Sequence, residues 1–140
     1  MYLLTVSYER VQYRKNYAVK TEKQMQFVVE GALKSKANSR RMVRSGNRTL
    51  FIKSKGAMEF VEGAEWQLKV QYKGQPIESQ VKLKLDIYYP NNRSDLSPEL
   101  FFDCLQSAGV LKNDRQIIEY SCRKLIDKER PRILCELEEV

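Results

Sequence analysis

Two aspartates flank one short amphipathic segment, and their carboxylates are of the type and spacing that could bind a divalent cation together. Asp95 comes just before a helix start, where Ser97 is expected as the N-cap and Pro98 as the first helical residue. Asp114 follows the end of the same helix, past Gly109, whose type suits a left-handed residue after the last turn. Hard cations such as Mg²⁺ prefer oxygen ligands and keep several waters. The sequence therefore predicts one acidic pocket in which two loops bring Asp95 and Asp114 together.

The segment between these aspartates has the apolar spacing of a helix that packs on a core. The recurring residues are Leu100, Phe101, Cys104, Leu105 and Ala108. Such a stripe faces the interior and leaves the opposite side of the helix to solvent. The helix would then fix the two loops at its ends.

The elements around this helix follow from periodicity. Apolar and polar residues alternate from 81 to 89, which predicts a half-buried strand leading toward Asp95, with the side chain of Asp86 pointing away from the core. Further strands are expected at 25–31 and, as a closing pair, at 117–124 and 132–138. The spacing of Ala57, Val61, Ala64 and Leu68 predicts a second helix over 55–72.

A hairpin is expected where the chain is most basic, with strands on both sides of a turn at 45–47. The net charge is +7, and between Gly31 and Met58 there is no Asp or Glu. Clustered positive charge is the electrostatic footprint of a protein that binds phosphate backbones, whereas a solvated basic hairpin is the alternative. The expected DNA contacts are Arg40, Arg41, Arg44, Arg48 and Lys53, with Arg93 from the loop before Asp95.

The chain of 140 residues contains no histidine, which excludes several kinds of active site. Ser–His and Cys–His nucleophiles, zinc sites that use His, and a His general base all need that residue. Hydrolysis would have to use a metal-activated water, or a carboxylate or Lys base.

The three cysteines indicate a reducing compartment. Cys104, Cys122 and Cys135 form no Cys-x-x-Cys pair, and the first and last fall on apolar stripes, so they are expected to be buried thiols. No apolar run approaches the length that spans a membrane, and the first ten residues lack a signal-peptide pattern. We therefore expect a cytoplasmic protein with no membrane contact and no small-molecule cofactor.

The order of these motifs resembles the RusA family of Holliday-junction resolvases, small phage and bacterial endonucleases that cut four-way DNA junctions. The helix and its second loop match the family at residues 103–105, 108–109 and 113–114. Upstream, residues 25–31, 35–41 and 81–90 resemble the family's first strand, its Asn-containing loop and the strand that enters the active site. The resemblance covers residues 25–138 and implies a homodimer that uses Mg²⁺ or Mn²⁺.

The chain departs from the family at the first acidic loop, where the family has Asp-x-Asp-Asn followed by a Lys. Aligning through Asp103 and Gly109 places Asp95 on the second Asp, and Arg93, Leu96 and Glu99 on the first Asp, the Asn and the Lys. A rival register places Asp95 on the first Asp and Ser97 on the second. In both registers one carboxylate and the Lys are missing. The site is then either degenerate or rebuilt with Glu99 as a further carboxylate.

The combined expectation is one α+β domain with a mixed sheet, two packed helices and a basic hairpin beside the acidic pocket. Residues 1–24 would be an N-terminal extension of this domain. The resemblance implies an endodeoxyribonuclease that resolves four-way or other branched DNA in phage or bacterial recombination and repair. Asp95 and Asp114 would hold the metal, and Glu99 would assist catalysis. The alternatives are an inactive DNA-binding or architectural dimer and a derivative that binds another protein through the same fold.

Overall fold

The computed structural model describes residues 24–35, 40–46 and 48–140, and for the strands between 40 and 53 it describes the backbone. The strands are β1 (Gln24–Glu30), β2 (Arg40–Ser45), β3 (Arg48–Lys53), β4 (Val81–Tyr89), β5 (Ile117–Ile126) and β6 (Arg132–Glu139). The helices are α1 (Lys55–Gln71) and α2 (Glu99–Ser107). Four strands form a mixed sheet in the order β1-β6-β4-β5, and β2 pairs with β3 in a separate hairpin. The predicted α+β fold is confirmed.

The core lies between the helices and one face of the sheet. Along β4 every second residue from Val81 to Tyr89 is buried, and these side chains form one cluster with the buried residues of α1 and α2. The side chain of Asp86 lies on the other face, as the alternation predicted, and pairs there with Arg123. Because both helices cover the same face, no described helix covers the other.

Both strands of the predicted closing pair, β5 and β6, are present, but they do not pair with each other. β4 lies between them: it pairs with β5 in parallel and with β6 in antiparallel orientation. A parallel neighbour needs a crossover connection, and here α2 supplies it. The chain that leaves the C-terminal end of β4 therefore returns to the N-terminal end before β5 begins.

Helix α1 begins at a serine cap and buries a slightly different stripe from the predicted one. Ser54 is the N-cap, and its hydroxyl accepts a hydrogen bond from the backbone N–H of Ala57 at 3.3 Å. Its buried residues are Ala57, Phe60, Ala64 and Leu68. Phe60 takes the core position expected of Val61, because the larger ring fills the space beneath Gly31, whose φ is 126°.

Helix α2 buries the predicted stripe but begins one residue later than predicted. Leu100, Phe101, Cys104, Leu105 and Ala108 are all buried, and Gly109 has the expected positive φ of 82°. The N-cap is Pro98, not Ser97, and it makes no side-chain capping bond. The Ser97 hydroxyl instead donates to the carboxylate of Glu99. This bond engages the hydroxyl that was expected to cap the helix.

The predicted hairpin is confirmed, and the prediction for the cysteines holds for two of the three. The basic hairpin is present as backbone, with Gly46 at φ 63° in its turn. None of the three cysteines is in a disulfide. Cys104 and Cys135 are buried as predicted, whereas Cys122 is only half-buried. No helix in the described part of the chain is both long enough and apolar enough to cross a membrane.

Candidate functional site at the C-terminal end of the central strand

A buried tyrosine holds the loop that carries the first predicted site residues. Tyr89 ends β4, and its hydroxyl donates to the backbone carbonyl of Asp95 and accepts from the backbone N–H of Ser97, both at 3.3 Å. From the neighbouring strand, Lys124 Nζ donates to the carbonyl of Ser94 at 2.6 Å. These bonds fix the backbone of residues 94–97 against the ends of β4 and β5.

Two carboxylates share the surroundings of this tyrosine. Burial raises the pKa of Tyr89, and the negative charges of Glu99 and Asp95 raise it further. Burial also raises the pKa of Cys122 to about 11, with Glu99 as the next cause. Asp95 and Glu99 therefore both lie in the neighbourhood of Tyr89, and the Glu99 carboxylate accepts a hydrogen bond from the Ser97 hydroxyl.

A cleft of about 310 Å³ opens beside Asp95. Its lining residues are Lys34, Ser35, Ser54, Gly56, Arg93, Ser94 and Asp95. The first turn of α1, which contains no acidic residue, reaches the cleft through Ser54 and Gly56. The N-terminus of a helix carries partial positive charge, and Lys34 and Arg93 add two exposed cations. The cleft therefore combines one carboxylate with several positively charged groups.

Asp114 lies at the other end of the sheet. It begins a short 3₁₀ helix, Asp114–Gln116, directly before β5. The Gln116 side-chain amide donates to the carbonyls of Ile77 and Ser79, which precede β4. The nine residues of β4 span about 26 Å at the usual rise per residue. One chain therefore does not bring Asp114 to Asp95.

The expectation of a single acidic pocket within one chain is thus wrong, because the crossover through α2 ends where β4 begins. Across residues 24–35, 40–46 and 48–140, no three Cys, Asp or Glu side chains are grouped closely enough to hold a metal ion. Mg²⁺ is often bound through one or two carboxylates together with waters and substrate phosphates. Among the predicted ligands, Asp95 is the carboxylate that lines the cleft.

The other acidic residues of this region have structural partners. Asp86 accepts two hydrogen bonds from the Arg123 guanidinium, at 2.9 and 3.0 Å, and these bonds hold its pKa below the usual value. Asp103 is half-buried on α2, and its backbone carbonyl accepts from Ser107. Neither residue lines the cleft.

The predicted DNA contacts divide into two groups. Arg93 lines the cleft. The side chains of Arg40, Arg41, Arg44, Arg48 and Lys53 lie outside the described residues, and only their backbone, in β2 and β3, is described. Their role stays a prediction.

The family model described as endodeoxyribonuclease RusA matches residues 30–138 of the sequence. These residues include every element from the end of β1 to β6. The chain belongs to the RusA family. A curated relative, the crossover junction endodeoxyribonuclease RusA of Aquifex aeolicus (strain VF5), is 30% identical over 77 residues, or 53% of this chain. The chain spans 61% of the length of that RusA protein.

Sequence reasoning missed three residues that the structure places around the loop of Asp95. Tyr89 was predicted only as the last inward residue of a strand, although a tyrosine at a strand end needs a partner for its hydroxyl. Lys124 was predicted only as part of a strand. Lys34 belonged to the basic segment but was not among the expected DNA contacts. Topology, not local pattern, places all three beside the loop of Asp95.

Proposed function

We propose that this RusA-family protein is a divalent-metal-dependent endonuclease that cuts four-way junctions or other branched DNA. The cleft at the end of β4 carries the proposal, because it sets Asp95 beside two cations and a helix N-terminus. A phosphodiester needs this pairing: positive groups to bind its oxygens and a carboxylate to hold a cation next to them.

Each group in the cleft has a distinct part in this proposal. Lys34 and Arg93 bind the phosphate, and the first turn of α1 adds backbone N–H donors. Asp95 is the principal metal ligand, and Glu99 is a further carboxylate. Asp114 was expected to be another, but within one chain it lies at the opposite end of β4. Mg²⁺ or Mn²⁺, when bound, would lower the pKa of a water and stabilise charge on the leaving oxygen. Tyr89 and Lys124 keep the loop in place without touching the substrate.

The basic hairpin is the proposed surface for the DNA backbone outside the cleft. Arg40, Arg41, Arg44, Arg48 and Lys53 would bind phosphates along the duplex arms, which gives affinity without reading the base sequence. Selectivity for a branched substrate would then come from its shape. We infer that the protein acts in the cytoplasm of a bacterium, or of a phage-infected cell, in recombination and repair, since none of its cysteines is in a disulfide.

The metal assignment is tested by Asp95→Asn, with Asp103→Asn as the control for the same change outside the cleft. The amide has the shape of the carboxylate but is a poorer metal ligand. We expect junction cleavage to fall on the order of 100-fold, equivalent to about 3 kcal/mol of transition-state stabilisation, with junction affinity in EDTA unchanged. Full activity of Asp95→Asn would rule out this role for Asp95.

The DNA-binding assignment is tested by neutralising Arg41, Arg44 and Arg48 together. Each lost phosphate contact should reduce the slope of log affinity against log salt by about 0.9, independently of sequence. Neutralising Glu59, Glu62 and Glu65 on α1 provides a control in which three charges change elsewhere. An unchanged salt slope in the arginine variant would show that the hairpin is not the DNA surface.

The second candidate function is a DNA-binding protein that no longer cuts. The observation that favours it is the absence of three grouped carboxylates among the described residues. It predicts tight junction binding with no strand scission in Mg²⁺ or Mn²⁺. The same binding and cleavage assays on the wild-type protein decide between the two functions.

A further inference from the structure

A second hollow adjoins the cleft, where the chain that leaves β1 passes beside α1. It is a groove of about 300 Å³ between residues 30–34 and the first half of α1. Lys34 and Gly56 line both the groove and the cleft beside Asp95, so the two hollows are continuous. A DNA strand with one phosphate in the cleft would therefore place a neighbouring base at the groove.

Glycines keep this groove open. The missing side chain of Gly31 leaves the ring of Phe60 as the floor, because an added Cβ would lie only 3.4 Å from that ring. At Gly63 nothing lies within 4 Å of where a Cβ would be, and φ is not positive, so neither a described contact nor the backbone conformation requires glycine. Glycine inside a helix is destabilising relative to alanine, and one use of it is to let a ligand approach the backbone closely. The groove therefore has the shape of a site for a flat ligand.

One carboxylate beside the groove is available to such a ligand. Glu30 is engaged, because its carboxylate oxygens accept hydrogen bonds from Arg130 Nε at 3.1 and 3.2 Å. Glu59 is exposed and forms no ion pair with another residue in the described part of the chain. An ionised carboxylate only accepts hydrogen bonds, so Glu59 selects a ligand that carries N–H or O–H donors. Lys34 adds a cation that would hold the phosphate next to that ligand.

An unpaired guanine fits this combination of shape and charge. Its N1–H and N2–H groups are adjacent donors on one edge, and they match the two oxygens of a carboxylate. Adenine, cytosine and thymine each present a donor beside a ring nitrogen or carbonyl acceptor, which a carboxylate repels. In a linear duplex this edge of guanine is occupied by cytosine. A base at a branch point leaves its stack at a lower cost, so the groove would favour branched DNA.

We propose that the groove binds an unpaired guanine of the strand whose phosphate lies in the cleft, and that Glu59 reads the Watson–Crick edge of this base. The position of the phosphate rests on the proposed function. Binding of the base requires neither the metal nor cleavage, so it can be measured in EDTA.

The role of Glu59 is tested with four synthetic junctions that carry one unpaired nucleotide at the branch point and differ only in its base. We expect the wild-type protein to bind the guanine junction about tenfold more tightly than the other three in EDTA, the discrimination typical of a two-bond contact to a base. Glu59→Ala should bind all four equally. Glu62→Ala is the matched control, because Glu62 is an exposed carboxylate on the same helix that does not line the groove, and it should keep the preference. A wild-type protein without this preference, or a Glu59→Ala variant that retains it, would overturn the proposal.

The groove itself is tested by Gly63→Leu, which fills it from the α1 side. The new side chain meets no described atom, and leucine is a strong helix former, so the urea midpoint of unfolding should not fall. We expect about tenfold weaker binding of the guanine junction and unchanged binding of a linear duplex. Glu62→Leu adds the same side chain outside the groove and should bind like wild type.

Full affinity of Gly63→Leu for the guanine junction would show that no base enters the groove and would overturn the proposal. The same junctions separate this inference from the proposed function. Guanine preference in EDTA without scission in Mg²⁺ or Mn²⁺ would uphold the groove and refute the nuclease. Scission with no base preference would do the reverse.

Discussion

The two ends of β4 are built from different chemistry. At the C-terminal end, Tyr89 and Lys124 bond to the backbone of a loop whose charged side chains face a cleft. At the N-terminal end, side-chain amides do the bonding: Gln106 accepts from the backbone N–H of Asp114, and Gln116 donates to the chain before β4. At the C-terminal end, charged side chains line a cleft that a ligand could enter. At the N-terminal end, polar side chains bond to backbone groups just before β4 and β5 begin.

This difference teaches that motifs close together along the chain need not meet in the folded molecule. Asp95 and Asp114 are separated by one short helix in sequence, yet the crossover carries them to opposite ends of β4. Four substitutions separate the contribution of each end.

The largest effect is expected from Asp114→Asn. If the N-terminal end contributes a metal ligand, junction cleavage falls on the order of 100-fold while affinity in EDTA is preserved. Glu78→Gln is the control, because Glu78 is an exposed carboxylate at the same end that pairs with Lys112 at 3.8 Å. Wild-type cleavage by Asp114→Asn would confine the chemistry to the C-terminal end.

A smaller loss is expected from Glu99→Gln, which removes charge from the C-terminal end. Glu99 shares the surroundings of Tyr89 with Asp95, so we expect a roughly tenfold weaker response of cleavage to Mg²⁺, typical for a group that supports a metal ligand. Glu99→Lys is the paired variant, since it restores the residue type of the family motif. If Glu99→Lys is the more active of the two, Glu99 is the remnant of a lost lysine. If neither variant differs from wild type, Glu99 lies outside the site.

Tyr89→Phe tests whether the loop at the C-terminal end must be held. The change keeps the buried ring but removes both bonds to the loop, so we expect a loss of about 1 kcal/mol in the free energy of unfolding and roughly fivefold in cleavage. Tyr88→Phe is the matched control, because the Tyr88 ring packs over Arg132 on the opposite face of the sheet. Urea unfolding and cleavage rates check both variants. Equal effects would mean that the hydroxyl of Tyr89 does not position the loop.

The smallest effect is expected from Asp86→Asn, midway between the two ends. Hydrogen bonds from Arg123 hold the pKa of Asp86 below its usual value, so the pair stabilises the fold above the pKa of an unfolded Asp. That contribution disappears as the pH falls through the lower, folded-state pKa. We expect a loss of about 0.5 kcal/mol in the free energy of unfolding at pH 7, because Arg123 is largely exposed. In urea unfolding, the difference from wild type should vanish in acid; a difference that persists there would have another cause.

The sequence predicted the elements that burial controls. The alternation in β4 and the apolar stripe of α2 were both confirmed, because a core imposes its period on any residue that enters it. Gly109 was predicted from its conformational freedom alone. The cap at Ser97 was wrong because its hydroxyl had a nearer competitor in Glu99.

The assembly of the site could not be predicted from local pattern. Spacing along the chain does not say which end of a neighbouring strand a helix returns to, and the parallel pairing of β4 with β5 decides this. A strand–helix–strand order does carry that signal, because such units are usually parallel. Applied to residues 81–126, that rule places Asp95 and Asp114 at opposite ends of the sheet.

Cleavage of a synthetic four-way junction by the wild-type protein tests the central claim most directly. The assay compares Mg²⁺, Mn²⁺ and EDTA, with a linear duplex of the same sequence as the control substrate. We predict scission of the junction with either metal, none in EDTA, and little or none of the linear duplex. Junction binding without scission in both metals would contradict the claim that the cleft at the end of β4 is a nuclease site.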